Sequence, residues 1–176
     1  MSTTNKFHNG ILFQFKKVTI SDSGTVSVVA NSTKDIESDF NVTGQNGEGR
    51  VGYVKCEGLF DKGKRKNAYT ETYADSNRVR IYQDANSVTR EATSITLTLA
   101  FLGYYRKEAY ENVVSYVQNG IIEYFDDKRN KYAYMILTDT ISPSEDVWKG
   151  SEPYIIVPFK FQSVYGNTFS STLITT

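Results

Sequence analysis

Residues 109–140 read AYENVVSYVQNGIIEYFDDKRNKYAYMILTDT, and the change of hydrophobic period inside this stretch decides the fold class. Before Gly120, Ala109, Tyr110, Val113, Val114 and Val117 recur at i, i+3, i+4 and i+7, while Glu108, Glu111, Asn112, Ser115 and Gln118 take the opposite face. That spacing predicts an amphipathic helix over 106–118. Asn119-Gly120 stops it, because glycine takes the left-handed position that ends many helices. Valine is a mediocre helix former, so the helix must depend on docking its stripe against a sheet. Beyond Gly120 the period falls to 2. Residues 121–125 and 131–138 read as two strands joined by Asp126-Asp127-Lys128-Arg129-Asn130, a hairpin.

Upstream, TSITLTLAF at 93–101 alternates cleanly. Ile95, Leu97, Leu99 and Phe101 face one way and Ser94, Thr96, Thr98 and Ala100 the other, a strand that Gly103 ends. Residues 11–30 hold two β-like runs around Ser21-Asp22-Ser23-Gly24, the residues of a tight turn. Residues 31–50 are polar, and Gly44, Gly47 and Gly49 read as a loop, followed by a strand over 52–59. A basic turn, DKGKRKN, starts at Asp61. Beyond it, Tyr69, Tyr73, Val79, Ile81 and Tyr82 are spaced by polar residues, which reads as a protruding β segment.

Downstream, 141–153 reads as a loop anchored by Trp148, and YIIVPFKF at 154–161 as a strand. Pro158 lacks an N–H, which assigns it to an edge or a bulge. The Ser/Thr-rich tail after Gly166 either frays or donates a short strand. The total is about seven to nine strands and one helix, with no βαβ rhythm and no repeat. The expectation is a mainly β chain, a β-sandwich or rolled β-barrel with one flanking α-helix. It forms a single domain over 1–176, with a β-hairpin or loop insertion at 61–92.

Bulk properties narrow the function classes. The 176 residues suffice for one core. Lys plus Arg and Asp plus Glu both number 20, so no global field steers the chain to nucleic acid or to an acidic membrane. Cys56 is the only cysteine, which rules out an intramolecular disulfide or a cysteine metal cluster. The start MSTTNKFHNG lacks the charged and apolar regions of a signal peptide, and no apolar run is long enough to span a bilayer. These features predict a soluble chain made in a cytoplasm. Thirteen tyrosines suit half-exposed sheets and contact surfaces.

Candidate chemistry is sparse. His8 is the only histidine, so no second one exists to complete a zinc site, and it lies in a terminal segment of the kind that frays. Cys56 as a nucleophile needs a base and an orienting group; as a small apolar residue in a strand it needs neither. Glu123, Asp126, Asp127 and Asp139 flank the hairpin and offer a pair of carboxylates for acid–base work, or simply a charged hairpin tip. TGQNGEGRVG carries no GK[ST] and so lacks the mechanism of a phosphate loop. Lys62, Lys64, Arg65 and Lys66, with Arg78 and Arg80, form the strongest basic cluster, either a phosphate or acidic-protein contact or a solvated turn. The Asn31 and Asn41 sequons matter only in a secreted chain. No catalytic, cofactor or metal residue is assigned.

TLTLAFLGYYRKEAYENVVSYVQNGIIEYFDDKRNKYAYMILTDT (96–140), with YIIVPFKFQSVYG (154–166), resembles the core segment of bacteriophage tail proteins of the tail-tube and distal-tail class. In that class a strand leads into a helix, then into a strand ending near an acidic turn, then into a further strand. The resemblance implies a non-enzymatic structural virion protein, assembled as a hexameric ring of a tail or tail tube that conducts DNA. Its implied partners are further copies and neighbouring tail or connector proteins, with DNA touched non-specifically at most and no membrane or cofactor. Residues 61–92 would be the hairpin that reaches a neighbouring ring. The rival reading is a carbohydrate- or protein-binding β-sandwich module using exposed tyrosines and Trp148. The last is a hydrolase built on the hairpin carboxylates.

Overall fold

The computed structural model describes residues 13–59, 61, 69–72, 79–82, 91–129, 131–140, 147–149, 152–165 and 169–170. The first described strands are β1 (Phe13–Ile20) and β2 (Val26–Val28), an antiparallel hairpin in which Val18 faces Val28. Gly24 turns it at φ 80°, as the Ser-Asp-Ser-Gly spacer predicts. A two-residue strand, β3 (Lys34–Asp35), returns along β1. The glycine-rich segment expected to be a loop is instead a second hairpin, β4 (Val42–Gly44) with β5 (Gly47–Glu57). Its glycines serve close approach. A Cβ at Gly49 would lie 2.2 Å from the Tyr105 carbonyl oxygen, and one at Gly44 2.4 Å from the Tyr105 ring.

Strands β6 (Tyr69–Thr72) and β7 (Val79–Tyr82) pair with each other and have no ladder to the main sheet. β8 (Ser94–Gly103), α1 (Arg106–Val117), β9 (Ile121–Asp126) and β10 (Lys131–Thr140) follow in the order the hydrophobic periods predict. Residues 147–149, expected to lie in a loop, form β11 (Val147–Lys149), which pairs with β12 (Glu152–Ser163). The tail contributes β13 (Phe169–Ser170), paired with β10. The described strands therefore number thirteen, not seven to nine; the additional ones are mostly pieces of two or three residues.

Eleven strands form one antiparallel sheet, with the path β2-β1-β9-β10-β12-β8-β5-β4. The helix links β8 to β9, three places apart in that path. Crossing three strand spacings takes about 14 Å, and a twelve-residue helix supplies about 18 Å. The helix is thus a connection laid across the core face. Ala109, Val113 and Val117 are fully buried there. Tyr110 meets Phe101 edge to face at 5.5 Å, and near the other end Tyr116 lies over Phe15 and against Phe40.

Inward alternation runs through the sheet. Phe13 and Phe15 of β1, Ile122 and Tyr124 of β9, Ala133 and Met135 of β10, Ile95 to Phe101 of β8, and Ile155 to Phe161 of β12 supply the core. Pro158, expected at an edge or a bulge, lies in an interior strand, opposite Thr98 of β8, where that ladder runs without a register shift. The fold is therefore mainly β with one flanking helix among the described residues, and the ladder of the main sheet does not close on itself.

Substituting Gly49 with Ala forces the β4–β5 hairpin away from the β8–α1 turn. We expect it to destabilise the protein by about 1–3 kcal/mol, the range for overpacking. Gly52→Ala meets only an ordinary contact, 3.6 Å to Leu102, and should cost less. Urea unfolding of the two variants checks the contrast.

Candidate functional site

The most developed polar cluster of the described residues lies where β1 and β5, five places apart in the sheet path, come into side-chain contact. Phe13 and Tyr53 stack there at 3.7 Å between ring centroids, 13° from parallel. No backbone ladder joins these strands. Side chains of the turn after β3 satisfy the outward N–H groups of β5 instead. Asn41 Oδ1 accepts from Val51 N at 2.9 Å, and a Glu37 carboxylate oxygen accepts from Tyr53 N at 3.1 Å. Ile36 and Phe40, both buried, fix that turn to the core.

The register of β5 shifts between Tyr53 and Lys55. This bulge changes which residues face inward. Val51 and Tyr53 precede it on the core side; after it the inward residue is Cys56, opposite Leu97, and Val54 is left 45% exposed. Cys56 thereby joins Tyr124 and Asp126 of β9, an association that strict alternation would forbid.

Asp126 is fully buried and forms an ion pair with the Arg129 guanidinium. Its other oxygen accepts from Arg129 N at 3.0 Å, so one carboxylate caps the turn and holds its arginine. Arg129 also donates to the Tyr53 hydroxyl at 3.3 Å. The hydrogen bond to Asp126 holds the guanidinium above its ordinary range. Burial pushes the Cys56 thiol up to about 12 and raises Tyr124 and Tyr53. The Tyr124 hydroxyl is buried without a hydrogen-bond partner, with the Cys56 thiol, at best a weak acceptor, as its polar neighbour. In front of this cluster lies a cleft of about 380 Å³ lined by Phe13, Glu37, Tyr53, Lys128 and Arg129.

The structure corrects the picture of a charged hairpin tip: Asp126 belongs to the interior and only its successors face solvent. Glu123 and Asp126 lie on opposite faces of β9, as a separation of three dictates. Glu123 pairs with Lys16 at 3.1 Å, and Asp139 is exposed, so these carboxylates do not converge. Cys56 is half-buried in β5 and protonated at neutral pH, an unreactive state for a thiol. The Asn41 amide is engaged at both ends, accepting from Val51 N and donating to the Glu37 carbonyl. His8, Lys62, Lys64, Arg65, Lys66 and Arg78 lie outside the described residues. For Arg80 and Trp148 only the strand position is described. Among the described residues no group of three or more His, Cys, Asp or Glu side chains is placed to hold a metal ion. No helix among them is long and apolar enough to cross a membrane.

Sequence reasoning missed Tyr53, Glu37 and Arg129 because each owes its role to the bulge or to the turn that brings distant strands together. No protein-family model matches the chain, and no curated protein matches it.

Three outcomes follow from this cluster and from Tyr134 of β10. Asp126→Ala leaves Arg129 and the turn without their carboxylate. A fully buried pair costs about 3–5 kcal/mol to break; with Arg129 38% exposed, about 2–3 kcal/mol is expected in urea unfolding. Tyr124→Phe removes an unpaired hydroxyl and should leave stability unchanged or raise it by up to about 1 kcal/mol. The raised Cys56 and Tyr134 groups, both pushed up to about 12 from 9.0 and 10.0 chiefly by burial, keep their protons longer folded than unfolded. Their contribution is intact below about pH 9 and is lost as pH rises toward 12. Thermal unfolding across that window should show falling midpoints.

Proposed function

We propose that the chain is a non-enzymatic structural virion protein, a rolled, barrel-like β subunit that assembles head to tail into a ring of a phage tail or tail tube. The observation that carries this reading is that the path of the main sheet has two ends, the three-residue strands β2 and β4, at different places on the subunit. A ring needs a heterologous contact, in which one patch meets a different patch on the next copy and the rotation closes. Two sheet ends at different places on one subunit provide such patches. The order strand, helix, strand, turn, strand over β8 to β10 agrees with the tail-tube and distal-tail resemblance. The separate β6–β7 ladder falls within the 61–92 insertion. On this reading the ring is hexameric, its partners are further copies and neighbouring tail or connector proteins, and DNA passes through with at most non-specific contact. It uses no cofactor and meets no membrane.

A second reading, a carbohydrate- or protein-binding module, draws on one feature. Tyr132, Tyr134 and Tyr165 form a run of edge-to-face contacts at 5.6 and 5.9 Å, an aromatic surface of the kind used at interfaces.

The deciding experiment is mass photometry over a concentration series with negative-stain imaging of the large species. Six-fold rings or short tubes are the expected result. A chain that stays monomeric at high concentration and in the presence of candidate tail partners, yet binds a glycan array through Tyr132 or Tyr134, would replace the first reading with the second.

A further inference from the structure

The cleft in front of Tyr53 carries two opposite charges that do not meet. Glu37 and Lys128 both line it, yet among the described residues neither enters an ion pair. The remaining charge on its wall, Arg129, is already matched by Asp126. The lining is therefore neutral as a whole, with one carboxylate and one ammonium left to a ligand or to water.

Tyr53 sets how far apart these charges stand. One Glu37 carboxylate oxygen accepts from its backbone N at 3.1 Å. Arg129, the neighbour of Lys128 in the turn after β9, donates to its hydroxyl at 3.3 Å. The carboxylate thus lies at the backbone end of one tyrosine and the basic residues at its phenolic end, with the ring between them. The second Glu37 oxygen accepts no hydrogen bond among the described residues. Phe13, itself buried, stacks on Tyr53, which stays half-exposed and gives the wall an aromatic surface.

A volume of about 380 Å³ lies near the lower limit for small-molecule pockets, about 300–1,000 Å³. It suits a ligand little larger than the tyrosine that lines it. A ligand with a single charge would take water from one end of the cleft and offer that end no partner, which is costly. We propose that the cleft binds a small zwitterion, its ammonium on Glu37, its anionic group on Lys128 and a flat apolar body along Tyr53. An α-amino acid is too short, because its two charged groups share one carbon atom. The spacing calls for charges at opposite ends of a ring or of a short chain. The two ends contribute unequally. Lys128 is exposed, and an exposed pair is worth up to about five-fold in affinity. Glu37 is half-buried, and a hydrogen bond to such a charged group is worth about ten-fold or more.

The probe is para-(aminomethyl)benzoate, whose ammonium and carboxylate sit at opposite ends of one ring. Benzylamine lacks its carboxylate and para-methylbenzoate lacks its ammonium. Each is titrated into the isotope-labelled full chain, and the backbone amide resonances of Glu37, Tyr53 and Lys128 are followed by NMR. The expected result is binding of the zwitterion at about 1 mM or tighter. Benzylamine should bind about three- to five-fold more weakly, and para-methylbenzoate at least about ten-fold more weakly. Lys128→Gln should abolish the preference for the zwitterion over benzylamine. Glu37→Gln, which keeps an oxygen for Tyr53 N, should abolish its preference over para-methylbenzoate. If Glu37→Gln does not fold, the exposed Lys128→Gln and the three probes carry the test. No resonance shift up to about 10 mM of the zwitterion, equal affinity for the three probes, or a preference that survives Lys128→Gln overturns the inference. Ring assembly is read by a different measurement and does not depend on these results.

Discussion

The contact that the rest of the structure depends on is the meeting of β1 and β5 at Tyr53. The backbone ladder runs from β1 through β9, β10, β12 and β8 to β5 and joins β1 and β5 nowhere directly. Side chains join β1 and β5 instead. Phe13 covers the Tyr53 ring, Glu37 accepts its N–H, and Arg129 reaches its hydroxyl. Each bond is modest, because protein contacts replace contacts with water. Together they hold β1 against β5, and the face of the sheet between them carries the helix and the aromatic core.

That contact draws on a cost the fold accepts. A carboxylate with no exposed surface is expensive unless it is paired and hydrogen-bonded. Asp126 meets both conditions through one neighbour, Arg129, three residues on. The pair sets the turn between β9 and β10, and it aims the guanidinium at Tyr53. The acidic residue thus serves architecture, and its burial is the reason it reads misleadingly as part of a solvated tip.

The assembly reading turns on the ends of the sheet and not on its cleft. The cleft in front of Tyr53 is walled by groups that already hold β1 against β5, so a ligand there would meet side chains with a structural duty. The two ends of the sheet path, β2 and β4, lie at different places on the subunit. The tail-ring proposal is consistent with two such ends, since each copy in a ring meets its neighbours through different patches.

Amino-acid order alone determined the mainly β class, the helix expected over 106–118 and found at 106–117, its stop at Gly120, and the alternation of β8, β9, β10 and β12, because each depends on the period of neighbouring residues. It also marked the β1–β2 turn through Gly24. The bulge after Tyr53 was not legible, since one inserted residue reverses the inward face without altering composition. The β4–β5 hairpin was hidden for a related reason: glycines chosen for close approach to Tyr105 look, in sequence, like glycines of a loop. Asp126, Arg129, Glu37 and Tyr53 come from three separate segments, and only the tertiary structure could bring them together. Periodicity reports which face of an element is buried; it carries no information about which distant element lies against that face.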